Sequence, residues 1–202
     1  MTVSIAIIVE GASEAALDQS LRRFLAARLP EGRPRIRFYP EDGRIPKGER
    51  LQRDVDRLLR RHDAVIALTD VYTGPSSREF ESARHARASM RSWVGPEPRF
   101  HPHAAQYEFE AWLLPSWNVI QDRAGSKRQA PSANPESVNH DRPPSIRLGE
   151  VFRAGAKGRT YSKTRDATAI LKDQDLTIAA NACPELKSFL NTILTLSGGE
   201  LL

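Results

Sequence analysis

The run VSIAIIVEGASE, residues 3 to 14, decides the fold. Residues 3 to 9 are almost wholly apolar and rich in β-branched side chains. Half-buried strands alternate apolar with polar residues, whereas a run like this reads as a strand covered on both faces. It is then broken at once by Glu10 and Gly11. An acid at the end of such a strand has no propensity reason to be there. A second carboxylate, Glu14, opens the element that follows.

Working outward, a helix is expected from about Ser13 to Leu29. Leu17, Leu21, Phe24 and Leu25 lie three or four apart, Ser13 is a candidate cap, and Pro30 follows the end. PRIRFYP reads as a second strand, with Ile36 and Phe38 on one face. Residues 49 to 61 form a helix with Leu51, Val55, Leu58 and Leu59 inward. DAVIALTDV, 63 to 71, is a third strand, again apolar almost throughout. A polar helix is expected over 77 to 93, a fourth strand over RFHPHAAQ, 99 to 106, and another helix from YEFEAWLLPSW. Strand alternating with helix, with apolar strands, means a parallel sheet with helices on both faces.

At 202 residues the chain is read as one domain. Residues 1 to 121 form its α/β core. Residues 122 to 145, with four prolines and almost no large apolar side chains, form a flexible loop. Residues 146 to 202 form a helical part packing on the same core. Its helices are expected at 146 to 153, about 164 to 171, and 184 to 196. No apolar run approaches the 18 residues of a membrane span. The start lacks a basic leader and a cleavage site, so it reads as the first strand of a cytoplasmic protein. The single cysteine, Cys183, has no internal partner. The net charge of +5 leans mildly towards polyanion partners.

In an open parallel sheet, sites form outside the carboxyl ends of the strands. Glu10 ends the first strand, Asp70 ends the third, and Glu108 and Glu110 follow the fourth. Glu14 lies one helical turn beyond Glu10. Five acids from distant parts of the chain would meet at one rim. Carboxylates held close together resist joint ionisation, and a divalent cation relieves this. Oxygen donors suit Mg²⁺ or Mn²⁺. Each acid also has a plainer reading as a cap or a solvated turn.

These residues match a known pattern. VEGASE together with TD at the end of a later apolar strand resembles the Toprim domain, shared by topoisomerases, primases and the overcoming-lysogenization-defect (OLD) nucleases. The whole chain is similar to the bacterial family called domain of unknown function 4276. The likeness rests on IVEGASEAAL, RLQRDVDRLL, TDVYTGP, QYEFEAWLL, VNHDRPPSIRLGEVF, YSKTRDATAIL and ACPELKSFL, in that order. It implies a Toprim-like three-layer fold with a central parallel sheet of about four strands and a C-terminal helical extension. It also implies a divalent-metal-dependent nuclease in a bacterial defence setting. Glu10 would be the principal acid and Asp70 the first acid of the later motif. Toprim proteins usually carry a second acid two residues on, where this chain has Tyr72. Glu108 or Glu110 would then supply a ligand, and Glu14 would serve a second ion.

Within that reading, a metal-activated water attacks phosphorus, and Lys163 or Arg165 offsets developing charge and contacts nucleic acid. The arginines of the first two helices (Arg22, Arg23, Arg53, Arg57, Arg60 and Arg61) would either track a phosphate backbone or simply face solvent. Two rival readings stand. In one the protein is a non-catalytic subunit of an AAA- or ABC-type ATPase, with EAWLLPSW as a contact surface or as core. In the other His101 and His103, on one face of a strand, hold zinc. Pro102 between them marks that strand as an edge. There is no G-x-S-x-G, P-loop or G-x-G-x-x-G.

Overall fold

Each strand of the sheet lies parallel to its neighbours, and each is reached from the previous one through a helix. The computed structural model describes residues 2–11, 16–72, 79–131, 134–137 and 142–202. The strands are β1 (Ser4–Val9), β2 (Arg35–Pro40), β3 (Ala64–Asp70) and β4 (Phe100–Ala105), in the order β2-β1-β3-β4. Ile5 to Val9 pair with Ala64 to Leu68, and Val65 to Asp70 pair with Phe100 to Ala105. The carboxyl ends of β1, β3 and β4 therefore share one rim.

The double-sided burial of β1 explains its composition. Ile5, Ile7 and Val9 enter one core, with α1 (Leu17–Arg28) and the C-terminal helices. Ala6 and Ile8 enter a second core, with α2 (Glu49–Leu59) and α3 (Ala83–Val94). β3 divides in the same way, Ile66 and Leu68 against Val65 and Ala67. β2 is an edge, and Ile36 is its one buried residue. β4 is the other edge, which lets it carry Pro102.

The helices depart from expectation mainly at their starts. Leu17, Leu21, Phe24 and Leu25 are buried as their spacing predicts. The expected opening of α1 at Ser13 lies outside the described residues. α3 begins at Ala83, where Ser82 Oγ accepts the His85 N–H, rather than at 77. Phe109–Ser116 is a 3₁₀ stretch with Pro115 inside it, and α4 (Trp117–Ala124) follows. From Phe109 to Leu114 every residue is buried, so no solvent stripe sets an α-helical period. EAWLLPSW is thus mostly core.

α5 (Pro144–Ala154), α6 (Lys163–Asp173), α7 (Leu176–Ala182) and α8 (Pro184–Leu196) complete the chain. α7 was not expected. It is short and opens on Asp175, whose side chain accepts the Thr177 N–H. Part of the Pro-rich segment before α5 is anchored. Glu136 is buried, accepts Trp112 Nε1–H at 2.9 Å, and takes the Glu185 N–H at the start of α8.

Candidate active site

Glu10 is the first residue after β1, and it is buried. Its Oε1 accepts the backbone N–H of Asp70 at 3.1 Å and the hydroxyl of Thr69. The acid closing β1 is in this way fastened to the end of β3. Asp70 is also buried, and its Oδ1 accepts the Phe109 N–H at 2.8 Å. That bond ties β3 to the chain leaving β4. Between them Tyr107 holds a left-handed backbone (φ 70°), which is costly for a residue with a Cβ. The Tyr72 N–H donates to Tyr107 O at 2.7 Å. Tyr72 thus braces the turn that delivers Glu108.

Glu108 and Glu110 are both buried. Glu108 accepts from Ser145 twice, Oε2 from the backbone N–H at 2.8 Å and Oε1 from the hydroxyl at 2.9 Å. It therefore sits at the positive end of α5. Glu110 Oε1 lies 3.3 Å from Lys163 Nζ. Among the described residues neither Glu110 oxygen has a hydrogen bond of good geometry, and the Lys163 ammonium is the charge it faces. Burial pushes the Glu110 carboxyl up to about 7, with Lys163 pulling it down and Glu108 adding to the rise. For Lys163, burial alone would lower the pKa. The charges of Glu110, Glu108 and Asp70 outweigh burial and hold the ammonium above its usual range. Tyr161, partly buried but with its hydroxyl oxygen shielded from solvent, has that hydroxyl raised by burial and by Glu110, Asp166 and Glu108.

The structure thus brings Glu10 to Asp70, and Lys163 to Glu110. Glu14 lies outside the described residues. Arg165 turns elsewhere, with its guanidinium 3.4 Å from both oxygens of Asp166. The arginines of α1 and α2 are partly committed: Arg22 to Asp18, Arg57 to Asp54, and Arg23 to the carbonyls of Leu171 and Gln174. Thr69, Ser145, Arg159, Tyr161 and Asp166 join the site without having been singled out in the sequence. An acid in the first turn after Ser162 was the legible signal for Asp166. Ser145, directly after Pro143–Pro144, marks a helix start.

The donor set is made of carboxylate oxygens, which suits Mg²⁺ or Mn²⁺. Mg²⁺ commonly takes only one or two carboxylates and fills the rest with water and phosphate. Glu10 and Asp70 are the two acids that the structure links, through the Asp70 N–H. Among the described residues, no three His, Cys, Asp or Glu side chains close on one point. His101 and His103 gain no third ligand there. Both line the α8 side of β4, where His103 Nε2 is hydrogen-bonded to Thr192 Oγ1 at 2.9 Å and its ring meets Phe189 edge-on.

An all-parallel sheet with acids gathered at its carboxyl rim and helices on both faces is a Toprim-like α/β architecture. The chain belongs to the family described as Domain of unknown function (DUF4276), whose model matches residues 9–194. Among solved structures it is similar to the C-terminal region of the Burkholderia pseudomallei OLD protein. The TM-score is 0.54 at 15% identity, over 96% of this chain and 98% of that one. Among curated proteins none matches the sequence. Among the described residues no helix is long and apolar enough to cross a membrane.

Proposed function

We propose that this protein hydrolyses nucleic-acid phosphodiesters with the help of Mg²⁺ or Mn²⁺. The observation that carries the reading is the fastening of Glu10 to the Asp70 N–H, together with a Lys163 ammonium that pairs with Glu110 and feels the charges of Glu108 and Asp70. Glu10 and Asp70 would hold the cation. When bound, it supplies Lewis acidity and an acidified water. The chain's own groups do the rest. Lys163 sets a fixed positive charge where a phosphate's negative charge would build up. Glu110 keeps that charge aimed inward, and Glu108 anchors the start of α5 beside it. The likeness in fold to the OLD protein region supports this reading.

The test is cleavage of labelled single- and double-stranded DNA and of RNA, with Mn²⁺, with Mg²⁺ and with chelator. Metal-dependent cleavage by the wild type, abolished in Glu10→Gln, is the expected result. Equal activity in both proteins would sink the assignment.

A second reading has its own support. The similar structure is itself only one region of a longer protein. The present chain would then act with a separate partner, which the sequence resemblance makes an AAA- or ABC-type ATPase. A co-purifying ATPase, and a complex that cleaves no nucleic acid, would favour a non-catalytic subunit.

A further inference from the structure

We propose that Arg159 and Asp166 are positioning residues: their ion pair fixes the first turn of α6 and so delivers the Lys163 ammonium to Glu110. The inference deepens the functional reading above, since it concerns the lysine assigned there.

Lysine is a poor choice for a fixed charge unless something else holds it. Its ammonium is strongly hydrated and its stem has many rotamers. Half of the Lys163 side chain is in solvent. Its aim must therefore come from the backbone that carries it. That backbone leaves an irregular segment, residues 155 to 161, between α5 and α6. Gly158 within it takes a left-handed turn (φ 52°).

One buried carboxylate organises the junction. Asp166 has no exposed surface. Arg159 grips it through two bonds, Nη1 to Oδ2 at 2.7 Å and Nη2 to Oδ1 at 2.9 Å. Oδ2 also accepts the Ser162 N–H at 2.8 Å, and the Asp166 N–H donates to Ser162 O at 2.8 Å. Arg159 itself lies over the ring of Phe152, 4.5 Å from its centre, which anchors it to α5. The clasp closes from residue 159 to residue 166, and Lys163 is inside it.

A helix start alone does not call for this arrangement. Ser162 Oγ already caps α6 by accepting the Arg165 N–H. The added acid and its two-pronged arginine fix direction as well as satisfaction, because a planar guanidinium holds a carboxylate in one orientation. Burial would raise the Asp166 carboxyl, yet Arg159, the Ser162 N–H and Arg165 hold it at about 2. The clasp therefore stays charged at neutral pH.

The test reads the lysine directly. The full-length protein is treated with a trace of an amine-reactive reagent at several pH values. Modification of Lys163 is compared by mass spectrometry with that of the exposed Lys172, at the far end of the same helix. In the wild type Lys163 reacts severalfold more slowly than Lys172, because its ammonium stays protonated and paired. In Asp166→Asn its rate rises to that of Lys172 and its pH profile shifts down, while circular dichroism keeps the helical signal. Asp166→Glu restores part of the protection, and Glu110→Gln removes it without touching the clasp. Should Asp166→Asn unfold, Arg159→Gln, which keeps the Ser162 bond, is read in its place. An unchanged Lys163 rate in a folded clasp variant overturns the proposal, as does a wild-type Lys163 that reacts like Lys172. A protected Lys163 in a protein that cleaves no nucleic acid overturns the nuclease reading alone.

Discussion

Glu10 and Asp70 stand sixty residues apart in the chain, yet the carboxylate of the first accepts the backbone N–H of the second. The bond crosses from β1 to β3 where both strands end. It holds the two acids in register at the rim of the sheet through one carboxylate oxygen and one backbone N–H.

Charge at this pair should govern cation affinity. Glu10→Gln keeps an oxygen for the Asp70 N–H but loses the charge. It should weaken Mn²⁺ binding by roughly tenfold or more, about 1.4 kcal/mol, and leave the melting temperature nearly unchanged. Asp70→Asn should do the same. Titration followed by the Mn²⁺ electron paramagnetic signal measures it. Wild-type affinity in both variants would remove these residues from any cation site.

Glu136 should matter for stability rather than for chemistry. It accepts from Trp112 Nε1 and from the first N–H groups of α8. Glu136→Ala leaves those donors bare inside the protein, at about 1–3 kcal/mol for each one stranded. Thermal melting should drop by roughly 2–4 °C per kcal/mol. Tryptophan fluorescence should shift as Trp112 loses its partner. A melting temperature equal to wild type would show that water or another group replaces the carboxylate.

His103 should set part of the acid limb of stability. Burial first, then Arg87 and His101, lower its pKa to about 3. In the unfolded chain the imidazole titrates near 6.5. Below that value the unfolded state binds a proton that the folded state refuses. The contribution is thus fully present above pH 6.5 and is lost as pH falls towards 3, by about 1.4 kcal/mol per unit at most. Urea unfolding of His103→Phe across pH 4 to 7 should show a flatter slope than wild type. Parallel slopes would mean that the ring is hydrated in the native state.

Gly155 is required for a reason of space. A Cβ there would meet Ala124 O at 2.0 Å and Ala124 C at 2.8 Å, both backbone atoms. The end of α5 lies that close to the end of α4. Gly155→Ala should cost about 1–3 kcal/mol by overpacking. Gly149→Ala, in the middle of α5 with open space around its Cβ position, should instead gain stability. Paired melting curves decide it, and equal shifts in both variants would contradict the close approach.

The fold was legible because β1 and β3 are apolar on both faces, a pattern that only a covered parallel sheet explains. Their shared direction and their ends followed, and with them Glu10 and Asp70; the order β2-β1-β3-β4 did not. Lys163 was legible only through likeness to other proteins, since nothing local distinguishes it from any half-exposed lysine at the start of a helix. Ser145 and Asp166 carried only the signals of helix starts, and their partners were hidden for a related reason. Each acts by closing a contact between segments far apart in the chain, and short-range pattern carries no trace of such a meeting. The start of α3 was misread because its polar first turn resembles the loop before it. Only the Ser82 cap marks the boundary.

The bond between Glu108 and Ser145 carries a further consequence. Ser145 lies beyond the Pro-rich segment, and Lys163 lies further on, so the candidate site draws its side chains from both halves of the polypeptide. A severed version, split within that segment, would carry orphaned carboxylates on one fragment and their counterparts on the other. Each fragment alone should be inert, and mixing them would report reassembly as directly as any spectroscopic probe.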